Sequence, residues 1–243
     1  MLVKLAFILL VALCLPRLSF GAAPTFVNVG AEVSVISGDL TLAAPATPVS
    51  GDIWVACVQS SDQVAHAFTD WTEIVNFNGG GTQSRVSAWW FRYAGTPPNL
   101  VLTHTAGDMV IAGIAAFRGA KASGSPIVTT GATNGANGTT FTYAGITPGA
   151  SNTMLVACHG SEGVTVLTKS VSLAAAFEPG AGDQYESADG TDGSVGLFYA
   201  SHVSGPTGDF TATITGARDW GAVLFAIEGI IAGTTASLTG VGR

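Results

Sequence analysis

Charge is scarce in this chain. Only 10% of its 243 residues are Asp, Glu, Lys or Arg, and the balance of nine basic against sixteen acidic residues gives a formal net charge of −7. No cluster of Lys and Arg is available to displace counterions from a phosphate backbone, so a nucleic-acid partner is excluded. The same deficit argues against anionic membranes, and a sparse acidic surface fits a secreted protein kept in solution by repulsion.

Helical patterning is also missing, since no long stretch beyond the N-terminus repeats its apolar residues at i, i+3, i+4 and i+7. Nor are there coiled-coil heptads, so any oligomer is expected to form through sheet faces or edges. Catalytic signatures are absent too. The four histidines (His66, His104, His159 and His202) show no H-x-x-x-H or H-E-x-x-H spacing, and they read as unconnected residues without a metal to share. Neither G-x-S-x-G nor G-x-G-x-x-G occurs. The E-x-D-x-x-E arrangement of many sandwich glycosidases, which would supply two carboxylates to flank a scissile bond, does not occur either. No catalytic residue and no resident cofactor are expected.

Residues 1–21 read as a secretory signal peptide. Lys4 gives a positive start, residues 5–15 form an apolar core, and Ser19-Phe-Gly21 places small residues before a cleavage point. The apolar run is shorter than the roughly 20 residues needed to span a bilayer. Cleavage removes Lys4 and Arg17 and no acid, leaving seven basic and sixteen acidic residues and a formal charge of −9. The expected location is secreted, at a cell surface or on a virion, with no membrane insertion after cleavage.

Two cysteines then remain, Cys57 and Cys158. Both lie in apolar runs at matching places of an internal echo: Gly51-Asp-Ile-Trp-Val-Ala-Cys57 answers Ser151-Asn-Thr-Met-Leu-Val-Ala-Cys158. Further echoes join Phe91-Arg-Tyr-Ala94 to Leu197-Phe-Tyr-Ala200, and Ile111-Ala-Gly-Ile-Ala-Ala-Phe-Arg-Gly119 to Gly221-Ala-Val-Leu-Phe-Ala-Ile-Glu-Gly229. If the repeats pair, the two cysteines form either a bridge or two buried thiols. The packing of free Cys as a small hydrophobe leans towards thiols.

Short runs rich in β-branched and aromatic residues alternate with Gly, Pro, Asn and Asp clusters, which predicts an all-β fold. Strands are expected at 26–29, 33–37, 53–59, 72–77, 86–93, 100–105, 110–117, 127–130, 139–143, 153–159, 164–169, 172–177, 195–201, 210–215 and 222–227. Residues 110–117 and 222–227 are apolar on both faces and should be central strands covered on both sides. Each half alone would expose such strands. One domain over residues 26–230, with strands pairing across the halves, is therefore expected, followed by a flexible tail at 231–243. The expected architecture is an antiparallel two-sheet β-sandwich, jelly-roll- or concanavalin-like, with a duplicated strand pattern.

Two features depart from the echo. Adjacent strand residues face opposite ways, so Trp89 and Trp90 are both buried only if their strand is covered twice. That makes Trp89 a candidate sugar-stacking surface, set against ordinary core packing. The acidic stretch at 180–193 carries Asp183, Tyr185, Glu186, Asp189 and Asp192. Its oxygen ligands on a Gly-rich segment suit Ca²⁺ or a sugar, against the simpler reading that Asp and Gly form turns.

With these strands in view, the chain resembles a loosely defined family of phage and bacterial β-sandwich proteins described as tail, tail-fibre or virion structural proteins. The likeness lies in Gly51-Asp-Ile-Trp-Val-Ala, Trp71-Thr-Glu-Ile, Trp90-Phe-Arg-Tyr-Ala, Ile114-Ala-Ala-Phe-Arg-Gly119 with Pro126-Ile, and Trp220-Gly-Ala-Val-Leu-Phe-Ala-Ile. It implies a fold, with no active-site residue to transfer. The expected function is a non-enzymatic structural or adhesive module whose partners are other structural subunits or surface glycans. A secreted lectin-like protein is the alternative, and a polysaccharide-active enzyme on the same scaffold is the third reading.

Overall fold

The computed structural model describes residues 21–104, 108–150, 152–163, 167–169, 185–189, 193–202 and 205–230. All but the last residue of the expected signal peptide, the 231–243 tail and the expected strand at 172–177 lie outside the described residues. Among the described residues the fold is all-β and antiparallel, with no helix.

Residues of the first half build one six-stranded sheet. Its strands are β1 (Thr25–Val29), β2 (Val33–Val35), β4 (Ile53–Ser60), β6 (Thr72–Asn78), β7 (Arg85–Arg92) and β9 (Val110–Arg118). They run in the order β1-β9-β4-β7-β6, with β2 also on β9. Three short strands, β3 (Leu40–Thr41), β5 (Ala67–Phe68) and β8 (Val101–Thr103), form a separate sheet in the order β3-β8-β5. The second half builds another six-stranded sheet. It comprises β10 (Ile127–Tyr143), β11 (Thr153–Glu162), β12 (Leu167–Lys169), β13 (Tyr185–Asp189), β14 (Gly193–His202) and β15 (Phe210–Glu228), ordered β10-β15-β11-β14-β13 with β12 on β15.

The two six-stranded sheets share one buried cluster. Side chains alternate along a strand, so Ile53, Val55 and Cys57 of β4 meet Met154, Val156 and Cys158 of β11 in that common core. The intervening residues point the other way. Trp54, Ala56 and Val58 are buried beneath Leu40, Phe68 and Leu102 of the three-stranded sheet. On the far side of the second sheet, Leu155, Ala157 and Leu224 are covered by Phe141 and Tyr143 of β10 and by Phe210 and Ile214 of β15. Covering on both faces is why β9 and the end of β15 are apolar throughout.

Strand pairing corrects the expectation in one respect. Strands pair within each half, and among the described residues no strand of one six-stranded sheet pairs with a strand of the other. The halves meet face to face, and backbone contacts between them include the bridge of Ala120 with Gly229 past the ends of β9 and β15 and the Gly80 N–H of the β6–β7 turn donated to the Trp220 carbonyl within β15. An apolar strand needs cover, and a facing sheet provides it as well as a neighbouring strand.

The duplication is real in register. Cys57 lies opposite Ala88 and Gly113, and Cys158 lies opposite Leu197 and Val223. Ile111–Gly119 and Gly221–Gly229 therefore correspond residue for residue. The Phe91–Ala94 echo does not, because Ala88, and not Phe91, occupies the place of Leu197. Trp89 and Trp90 thus correspond to Phe198 and Tyr199, so the halves share an aromatic pair at this place but not the tryptophans.

Two long strands were each expected as a pair of strands. β10 and β15 run on through register shifts at Gly135 and Gly138. Their far ends, Thr140–Tyr143 against Phe210–Thr213, stay paired, and Phe141, Tyr143 and Phe210 carry their side chains onto the sheet's own outer face. Glycine is required at this bend because a Cβ on Gly135 or Gly138 would stand 2.6 Å from the Trp220 indole.

Candidate functional site

The richest polar cluster lies under the outer face of the first sheet and joins residues far apart in sequence. His66 follows β4, and its ring is 2% exposed. Its Nδ1 lies 2.8 Å from Ser87 Oγ on β7, and its Nε2 lies 3.0 Å from Ser60 Oγ at the end of β4. Trp89 Nε1 donates to Ser87 Oγ at 2.9 Å, while Ser60 Oγ donates to Asp62 Oδ1 at 3.1 Å. His104 Nε2 reaches the same carboxylate oxygen at 3.1 Å, and the two imidazoles stand 5.7 Å apart.

These bonds are all satisfied by one proton arrangement. Ser87 accepts from Trp89 and donates to His66 Nδ1. The neutral His66 then donates from Nε2 to Ser60, which donates onward to Asp62. Burial, the neighbouring His104 and Arg85 together hold His66 down at about 3, so it stays neutral at ordinary pH. His104 Nδ1 is buried without a partner. The cluster contains serine, histidine and aspartate, but the carboxylate orients His104 and not the histidine that touches the serines. Ser60 and Ser87 are both buried. The geometry is that of a structural relay which fixes tautomers and ties β4, β7 and the loops beside them together.

The structure therefore corrects the reading of the histidines as unconnected: His66 and His104 share one network. Chain spacing hides the link, since the β4–β7 pairing brings Ser87 and Trp89 beside residues 60–66, and His104 enters from the end of β8 in the three-stranded sheet. His159 is buried on the opposite side of the molecule. Its Nδ1 lies 2.8 Å from Tyr143 OH, its ring packs on Phe141 and Phe198, and burial lowers it to about 3.

Trp89 is also corrected. It is 6% exposed and packs with Trp54, Phe68 and Trp71 beneath the three-stranded sheet, because that sheet covers a face the sequence leaves open. Its indole cannot stack on a sugar there. Trp90 is half-buried against the common core. Of the acidic stretch, Tyr185, Glu186 and Asp189 belong to strand β13, which pairs with β14 from Tyr185↔Leu197 to Asp189↔Gly193. Asp183 and Asp192 lie outside the described residues. Among the described residues, no three His, Cys, Asp or Glu side chains converge as a metal-binding group.

Cys57 and Cys158 are joined by a disulfide between β4 and β11, with Cα atoms 5.9 Å apart. The lean towards two free thiols is overturned, since the two face-to-face sheets bring the cysteine side chains together within the common core.

A second brace lies nearby. Asp219, buried on β15, accepts from the backbone N–H groups of Thr82 and Gln83 in the β6–β7 turn through Oδ2, and from Asn137 N–H through Oδ1. The turn fits only because its glycines lack side chains: a Cβ on Gly80 would stand 1.9 Å from the Gly135 backbone. Asp219 thus ties the first half's turn to the bend of the second.

No family model, no curated protein and no solved structure matches this chain.

Proposed function

We propose that this chain is a non-enzymatic structural or adhesive module, secreted and displayed on a cell surface or virion, with other structural subunits or surface glycans as partners. Its finer architecture is read as a single β-sandwich over residues 26–230, whose chain completes one six-stranded leaf before it enters the other. The observation that carries this reading is the Cys57–Cys158 disulfide at the centre of the shared core. Such bonds persist in oxidising compartments. Together with the Asp219 clamp it ties the two leaves to one another, which suits a part that bears load. The virion assignment rests on the residue resemblance alone.

A carbohydrate-binding protein is the second reading. It has lost Trp89 to the core, and it now rests on Tyr185 and the acids around β13.

Fractionation of the native producer, with the mature protein followed by antibody, tests the proposal. Recovery with the cell envelope or purified particles is the expected result. Protein found wholly in the medium, or hydrolysis of a polysaccharide by the purified chain, would overturn it. On a glycan array, binding abolished by Tyr185→Ala would move the function to the second reading.

A further inference from the structure

Asn-Gly pairs occur at Asn78-Gly79, Asn134-Gly135 and Asn137-Gly138. The fold gathers all of them at the corner where the β6–β7 turn meets the bend of β10. In such a pair the asparagine side chain is readily attacked by the next backbone nitrogen, because glycine opposes the approach with no Cβ and turns freely. Each of these asparagines is exposed, so access to water does not separate them. Hydrogen bonding does. Asn78 is held at both reacting ends: its Oδ1 accepts from Arg85 Nη1 at 2.6 Å, and the Gly79 N–H donates to the Ser84 carbonyl at 2.8 Å. Asn134 lies opposite Gly221 in the unbroken run of the ladder from Thr129 to Gly135, and its Nδ2 donates to the Asn78 carbonyl at 2.9 Å.

Asn137 is placed differently. The ladder passes from Gly135 opposite Trp220 to Gly138 opposite Arg218, so Ala136 and Asn137 both stand against Asp219 as a bulge. Asn137 takes the left-handed conformation there, with φ at 47°, which asparagine tolerates better than most residues. Its backbone N–H donates to Asp219 Oδ1 at 3.1 Å, while its side-chain amide makes no hydrogen bond among the described residues.

We propose that Asn137 is a site of spontaneous deamidation, and that the carboxylate formed there loosens the Asp219 tie between the two leaves. The Gly138 nitrogen gives up its proton and bonds to Cγ of Asn137, the Cγ–Nδ2 bond breaks, and ammonia leaves behind a five-membered succinimide. Water opens that ring at either carbonyl to give aspartate or isoaspartate, so the net change consumes one water and needs no oxidant or reductant. Aspartate puts a second negative charge on the residue whose N–H caps Asp219, and like charges at close range repel. Isoaspartate carries the same charge and adds a methylene to the backbone ahead of Gly138, out of register with Arg218. The reaction does not depend on the structural or adhesive role.

Peptide mass mapping with isoaspartyl methyltransferase labelling tests the site on the full disulfide-bonded chain, incubated at mildly alkaline pH. Asn137 is expected to convert about tenfold faster than Asn78 or Asn134, whose hydrogen bonds must first open. In the reduced and unfolded chain the three should react at comparable rates. Asn137→Gly keeps the backbone conformation without the amide, and should abolish the product while Thr82 and Gln83 stay protected from hydrogen exchange. Asn137→Asp, the aspartate product made directly, should speed exchange of those two amides about tenfold and leave the centre of β4 unchanged. No conversion at Asn137, or conversion as fast at Asn78 or Asn134 in the folded chain, overturns the site. Wild-type exchange in Asn137→Asp overturns its effect on the tie. Circular dichroism establishes that each variant is folded.

Discussion

Cys57 and Cys158 occupy the same place in two copies of one strand arrangement, each on the central strand of its sheet, and they are bonded to one another across the core. The chain between them spans a sequence separation of 101 and contains the crossing from one sheet to the other. A cross-link over so long a span restricts the unfolded chain strongly. On chain-entropy reasoning this is worth about 4–5 kcal/mol. Replacing both cysteines by alanine should therefore lower the unfolding free energy by about 2–5 kcal/mol. Equilibrium urea unfolding with the sheets intact by circular dichroism measures it, and an unchanged midpoint would mean that the facing sheets hold each other without the bond.

Asp219 makes a prediction of a different kind, because it stabilises a turn from a distant strand. Asp219→Ala leaves the Thr82, Gln83 and Asn137 N–H groups short of an acceptor. The expected loss is at least about 2 kcal/mol, with Asp219→Asn intermediate because it keeps one amide oxygen. Hydrogen exchange reads the mechanism directly: these three amides should lose protection while the centre of β4 keeps it. Uniform loss along the chain would show that the carboxylate acts on global stability alone.

The sequence shows strands well where polar and apolar residues alternate or where long apolar runs are bounded by turns. β4, β9 and β11 were legible for that reason. It does not show which sheet a strand joins, because β9 is equally apolar whether its cover is a facing sheet or a neighbouring strand. β10 was divided because Gly135 and Gly138 look like chain breaks, and the Trp220 ring that fills their space comes from the far end of the chain. The short β3 and β5 were missed, being only two residues each, and with them the cover over Trp89. The His66–His104 network was invisible for a related reason, since its members come together only through strand register.

Trp89 separates a binding role from a packing role. Trp89→Phe keeps most of the buried ring but removes the bond to Ser87 Oγ, and should cost about 1–2 kcal/mol. Trp89→Ala leaves a large void and should cost about 3–5 kcal/mol. Neither change should alter glycan binding under conditions where the protein is folded. Chemical denaturation beside a glycan-binding assay checks both statements. A stable Trp89→Ala protein with lost sugar binding would return the residue to the surface role that its sequence position suggested.

Acid sensitivity follows from the two buried histidines. His66 and His159 are each held near 3 by burial, with His104 and Arg85 adding to the effect at His66. In the unfolded chain both should titrate near the ordinary value of about 6.5. Between pH 6.5 and 3 the unfolded chain therefore binds more protons than the folded one, so stability falls as pH drops through that window and levels off above it. At pH 5 the expected loss is about 2 kcal/mol for each histidine relative to pH 7.5, and this pH lies above the usual carboxylate range. Urea midpoints at pH 7.5 and pH 5 measure the slope. His66→Gln and His159→Phe should each remove about half of it, whatever they cost at pH 7.5, and the double variant should be nearly flat. An undiminished slope in the double variant would place the acid-sensitive protons elsewhere.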